Sequence, residues 1–300
     1  TRFKCDWSSD VCSSDLVAIV VSRVLGISVD DIRVESSNTQ RVGNASPTAA
    51  STGSDINGNA ARIAAEKLRE QLREPAAKLL EKNFGFSFNP QDILFSEQRI
   101  YVHDKPEASI SFKELVSFAY VERIPLGAYG YYRTPDLWFD REVGKGHPFH
   151  YYVYGAALAE VELDCRMGEH DLKKLYIVHE NGQSLQERID LGQIAGAAVQ
   201  GYGWCTMEDL KWDEKGRYIS ANPSTYKIPG IRDIPESFHI EIMPSLSKEA
   251  SVFGSKATGE PPLIYGLAVF FALQDAVQAV KPEAQLSFPA TPEAILKAIY

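Results

Sequence analysis

Residues Phe149–Leu163 read FHYYVYGAALAEVEL, and Lys174–His179 read KLYIVH. The first run is long and rich in strand formers. An acidic turn follows it, and the second run pairs back on it as a hairpin. Working outward, Phe238–Met243 (FHIEIM) and Tyr218–Ile219 are further strand candidates. Asp190–Gly201, DLGQIAGAAVQG, reads as a helix built from small residues. Gly259–Ala279 is expected as the last helix, buried, with Pro261 and Pro262 where a helix start tolerates them. Upstream, Val17–Leu25 (VAIVVSRVL) is apolar without a period that separates helix from strand. Asp31–Val34 reads as a short strand. Asn38–Asn59 is small and polar and reads as a long loop, a kind of segment that often carries function. A helix over 58–72 puts Ile63, Ala64, Leu68 and Leu72 on one face. Pro75 is expected to break it before a further turn or two at Ala76–Lys82. Phe84–Val102 reads as short strands and turns, and Ser111–Ala119 as a helix capped near Ser111. Helices and strands mix without regular βαβ alternation, so the fold class is α+β rather than a doubly wound sheet.

The 300 residues carry 31 Lys and Arg against 40 Asp and Glu, a net charge of −9. That length suits one large domain or two interleaved smaller ones. The charge argues against a nucleic-acid partner or an anionic membrane, since either needs a basic patch. Leu263–Val280, the longest apolar run, contains Gln274 and Asp275 and reads as a buried helix rather than a membrane span. Cys165 and Cys205 make no disulfide framework and suit a reducing cytoplasm. The other two cysteines lie in CDWSSDVCSSDL, Cys5–Leu16. This stretch has no helical period, no strand alternation and no signal-peptide pattern, and it matches one frame of a common short-read sequencing adapter. Residues 1–16 are therefore read as foreign, with the native chain, 17–300, entering at Val17.

Three stretches carry chemistry. In Phe253–Leu263, FGSKATGEPPL, a lone Glu260 stands between Gly259 and two prolines. Glycine lets the backbone come close to a neighbour, and the prolines start a helix. A carboxylate there is stabilised as the anion, either as a helix-start residue or as a catalytic group. Thr48–Ser54, TAASTGS, leads small and hydroxyl residues into a helix start. Such a start either is simply capped or holds a phosphate with its N–H groups. In the Asp190–Gly201 helix, Gln193 offers a donor and an acceptor, while the glycines allow close packing. His147 and His150 lack the further ligands that a metal site needs.

In order, VGNASPTAAS (Val42–Ser51), YRTPDL (Tyr132–Leu137), PFHYYVYGAALAEVELDC (Pro148–Cys165), DLGQIAGAAVQG, PSTYKIP (Pro223–Pro229) and SKATGEPPL (Ser255–Leu263) resemble the C-terminal part of the molybdenum-binding subunit of the xanthine dehydrogenase family. The resemblance implies a molybdenum ion held through a pterin dithiolene, as molybdopterin or its cytosine dinucleotide form, with no protein ligand to the metal. It implies that Glu260, of the GEPP motif, is the general base. That base deprotonates the hydroxide on the metal, whose oxygen attacks an electron-poor purine carbon while hydride passes to a sulfido ligand. A positioned carboxylate beside an acidified hydroxyl is suited to that task. Ala50 and Ser51, with Thr52, Gly53 and Ser54 beside them, are then expected to contact the pterin and its phosphate. Gln193 is expected near the metal, and Gly259 beside the cofactor. Electrons would leave through [2Fe-2S] clusters to FAD on partner subunits or domains, in a dimer of heteromeric units.

The resemblance implies xanthine or hypoxanthine as substrate. An aldehyde or N-heterocycle oxidase of the same family is the nearest rival, and a non-catalytic scaffold is the rival of another class. The family's glycine-rich, Gln-bearing loop is expected just before Val17, and its purine-orienting Arg and aromatics further upstream; this sequence contains none of them. The 300-residue chain alone is therefore expected neither to hold the cofactor stably nor to turn over substrate.

Overall fold

The computed structural model describes residues 11–35, 53–245 and 251–300. The chain divides into two units, one of Thr1–His150 with Glu249–Ser255 and one of Tyr151–Lys248 with Lys256–Tyr300.

In the first unit the ambiguous apolar run is a helix, α1 (Val11–Leu25), which begins inside the adapter-like stretch. Leu16, Val20 and Val24 recur on one buried face of it. The strand expected at Asp31–Val34 is absent. Val29–Asp31 is instead a 3-10 turn capped by Ser28, whose Oγ accepts the Asp30 N–H at 3.3 Å. Much of the long loop expected over Asn38–Asn59 lies outside the described residues. Its end is helical: a π turn, Gly53–Asn57, leads into α2 (Gly58–Phe84).

Pro75 does not break α2. It is buried with Leu72, Ala76, Leu79 and Leu80, and that packing offsets the backbone hydrogen bond a mid-helix proline loses. The same core takes Ile93 and Phe95 of β1 (Ile93–Ser96), Ile100 of β2 (Arg99–Val102) and Ile110 of β3 (Lys105–Ser111). These strands form an antiparallel meander. Helix α3 (Phe112–Val121) starts at Ser111, as expected, with a full capping box to Glu114. A short exposed hairpin follows, β4 (Trp138–Asp140) with β5 (Lys145–His147).

The second unit is built on the hairpin read from the sequence. Strand β6 (Tyr154–Asp164) pairs antiparallel with β7 (Glu169–Glu180), from Tyr154↔Glu180 to Asp164↔Glu169. Helix α4 (Glu187–Thr206) then crosses over, and β8 (Ser237–Met243) joins parallel to β7. Tyr218–Ile219 is not a strand; Tyr218 makes an isolated bridge to Trp212.

Gly259–Ala279 is not one α-helix. Pro261–Gly266 is a 3-10 turn, and α5 is Leu267–Val280. Nor is it the last helix, because α6 (Pro292–Ile299) follows, capped by Thr291. By length and composition Pro261–Val280 could cross a membrane. Here only a stripe of α5, Val269, Leu273 and Val277, is buried, against Leu175 and Ile177 of β7 and Ile194 of α4. Phe271 on the opposite face is 60% exposed, so the expected full burial is corrected to one face.

Candidate active site

The residues before Glu260 are buried and polar, which is rare unless each finds a partner. Ser255, Lys256 and Thr258 are all under one-tenth exposed. The Lys256 Nζ donates to Glu180 Oε2 and to the Tyr152 carbonyl, each at 2.8 Å. The Lys256 N–H donates to the Asn181 carbonyl at 2.8 Å. The Ala257 N–H donates to the Tyr151 hydroxyl at 2.8 Å. Glu180 ends β7, so the strand that founds the sheet also anchors this loop. Burial alone would raise the Glu180 carboxyl. Hydrogen bonds from Lys256, Ser245 and the Gly182 N–H outweigh it and hold the group below its ordinary value.

A second tie runs to α4. Asp190 is buried and accepts from Ser184 Oγ at 2.5 Å, Asn181 Nδ2 at 2.8 Å and Thr258 Oγ1 at 3.4 Å. Desolvation raises its carboxyl despite those three donors. Further along the same helix, the position of a Gly201 Cβ lies 2.0 Å from the Leu263 carbonyl oxygen. Only a bare backbone lets the turn after Glu260 approach so closely. Thus Thr258 sits at Asp190 and Leu263 at Gly201, so residues 258–263 run alongside α4. Gln193 lies between those two tie points, about 12 Å before Gly201 along the helix axis. Gly192 and Gly196 flank it, and among the described residues nothing lies within 4 Å of their Cβ positions. Close packing therefore occurs at Gly201, while the glycines nearest Gln193 meet none of the described residues.

Glu260 itself is exposed at the N-cap of the 3-10 turn, and its side chain makes no capping bond. The structure thus removes the capping role that the sequence left open. Gly259 is half-buried beside it, and Gln193 is half-buried on α4. Gly53 and Ser54 lie in the other unit, buried and half-buried in the π turn that opens α2. Ala50, Ser51 and Thr52 lie outside the described residues. His147 is exposed, with Nδ1 at 3.1 Å from the Asp136 carbonyl. Among the described residues no group of three His, Cys, Asp or Glu could hold a metal ion.

Sequence reasoning missed Tyr151, Glu180, Lys256 and Asp190. The signal available was Lys256 itself: a lysine inside a run of small residues, in a segment too short to expose it, needs a buried counter-charge.

His179 and Tyr265 form a buried pair next to this anchor. The hydroxyl of Tyr265 is 2.6 Å from His179 Nδ1, while Nε2 is buried without a partner among the described residues. Desolvation pushes the imidazole down from 6.5 to about 4, against the nearby charge of Glu180. Between those values the unfolded chain takes up a proton that the folded chain refuses. Stability is therefore full above pH 6.5 and falls with pH, by about 3 kcal/mol at pH 4. Denaturant titrations of wild type and His179→Leu should diverge by that amount between pH 7 and pH 4, in favour of the variant at low pH. A constant difference across that range would contradict the assignment.

Residues 13–235 match the family model described as the molybdopterin cofactor-binding domain, a stretch that ends before Glu260. The chain is 37% identical to a xanthine dehydrogenase/oxidase of Felis catus over 93% of its own length and 20% of that protein's. It is 36% identical to a xanthine dehydrogenase of Oryza sativa subsp. japonica, over 93% and 19% respectively. It therefore spans about a fifth of the curated relatives it matches. Among solved structures, quinoline 2-oxidoreductase from Pseudomonas putida aligns with a TM-score of 0.79 at 24% identity, over 95% of this chain and 35% of that one. An aldehyde oxidoreductase from Desulfovibrio desulfuricans aligns at 0.71 and 26%, over 96% and 27%.

Proposed function

The chain belongs to the molybdopterin cofactor-binding domain family, and from that premise we propose that it is part of the molybdenum-bearing portion of a xanthine dehydrogenase-type hydroxylase acting on a purine. The observation that carries this reading is Glu260: an exposed carboxylate, free of any capping bond, on a loop whose preceding residues are buried and pinned. The xanthine dehydrogenases among its sequence relatives support a purine over an aldehyde.

The residues present fit the cofactor. Among the described residues nothing stands against the backbone of α4 at Gly192 and Gly196, on either side of Gln193, so a bulky group would reach the helix there. When bound, the molybdenum centre supplies the two-electron redox chemistry. The chain's own residues do the rest. Gln193 would hold the cofactor through its amide, which can both donate and accept. Glu260 takes up the proton of the attacking oxygen, as a positioned carboxylate can. The rigid loop keeps that carboxylate in place without reorganisation at the moment of reaction. Ala50, Ser51, Thr52, Gly53 and Ser54 would contact the pterin, and Gly259 would give the close backbone approach. Electrons would pass to [2Fe-2S] and FAD on partner components, in a dimer of heteromeric units in the cytoplasm.

The test is to purify the intact enzyme carrying this chain and measure molybdenum and pterin content together with xanthine turnover in heavy-oxygen water. Urate carrying the heavy oxygen supports the reading. A folded enzyme without molybdenum and pterin would overturn it, and turnover of aldehydes or quinoline alone would reassign the substrate.

A further inference from the structure

The Glu260 side chain makes no capping hydrogen bond, yet its loop enters from a cage. The ammonium of Lys256 lies between the Glu180 carboxylate and the Tyr152 carbonyl, with the ring of Tyr154 5.7 Å and that of Tyr151 6.0 Å from it. Such a cage fixes residue 256. The next backbone N–H, of Ala257, has the Tyr151 hydroxyl as its acceptor, and Thr258 follows with its bond to Asp190. Two residues after that comes Glu260. The Tyr151 hydroxyl holds the loop by a side-chain atom that a single substitution deletes without leaving a buried charge.

We infer that Tyr151 is a positioning residue for Glu260, its hydroxyl setting the path of the loop from Lys256 to the carboxylate. This rests on the proposed role of Glu260. The residue acts at a distance, so its removal should misplace the base rather than remove it, and a misplacement of about 1 Å can cost up to about a hundredfold in rate. Substrate affinity and fold should change little.

The test is Tyr151→Phe, read in two ways. In the intact protein prepared without cofactor, hydrogen–deuterium exchange of the Ala257 amide should accelerate about tenfold, the loss of one hydrogen bond, with amides in β7 unchanged. In the intact enzyme, kcat should fall by about tenfold to a hundredfold with KM within a small factor. In a Glu260→Gln background the same substitution should cause no further loss, because it acts through that carboxylate. Tyr151→Leu, which likewise lacks the hydroxyl that accepts the Ala257 N–H, should give the same pattern and carries the test if Tyr151→Phe does not fold. Unchanged Ala257 exchange and unchanged kcat would overturn the inference, as would an equal rate loss in both backgrounds. If Glu260→Gln itself keeps full rate, the role of Glu260 fails, while the Ala257 exchange still decides the anchoring.

Discussion

Glu260→Gln is expected to lower kcat of the intact enzyme about a hundredfold to ten-thousandfold, the usual contribution of a positioned general base. The amide keeps the shape of the carboxylate and removes its ability to take a proton. Because the group is exposed and makes no capping bond, stability should stay within about 0.5 kcal/mol of wild type. The loss should therefore fall on kcat and kcat/KM together, with KM little changed, which marks an interaction made in the transition state. Steady-state kinetics with xanthine, alongside molybdenum analysis to show equal cofactor loading, checks this. A variant within threefold of wild type would show that Glu260 is not the base, and would favour a scaffold role for the chain.

Lys256→Met should produce the largest change in stability, about 3–5 kcal/mol, because it strands a buried carboxylate. The side chains of Lys256 and Glu180 are each 4% exposed, with 2.8 Å between Nζ and Oε2. The Gly182 N–H, at 2.9 Å, and Ser245 still donate to Glu180, but two neutral donors do not replace an ammonium. In wild type Glu180 is held below its ordinary value. It thus contributes stability that is present above its unfolded-state value and lost as pH falls. In Lys256→Met that contribution should reverse, so acidification should narrow the gap between variant and wild type. The double variant Lys256→Met, Glu180→Gln should recover part of the loss, since no charge remains buried. Chemical denaturation of the three variants measures both effects. A loss below about 1 kcal/mol for Lys256→Met would mean that water reaches the pair.

The reach of the sequence was uneven, and particular residues show why. The β6–β7 hairpin, β8, α4 and the capped start of α3 were legible because each depends on local pattern: strand-forming runs, small residues, and Ser111 three residues before Glu114. Pro75 misled because its cost is local while the compensation is not; burial of Leu72, Leu79 and Leu80 against β1 and β2 decides that α2 continues. Tyr218–Ile219 has the residue types of a strand, but a strand needs a neighbour, and here that neighbour is a single bridge to Trp212.

The same division holds at the site. By itself the sequence determined the α+β class, the GEPP and DLGQ stretches, and Glu260 and Gln193 as the groups of interest, because motif order and residue type are properties of the chain. Only the tertiary structure decided that Glu260 is not a helix cap, that residues 258–263 run alongside α4 past Gln193, and that Tyr151, Glu180 and Asp190 anchor the loop. Those partners are distant in sequence, with Lys256 and Glu180 76 positions apart. A buried ion pair or a shared carboxylate leaves no periodicity for a reader of one strand or helix to find; it exists only once the backbone has brought the two ends together.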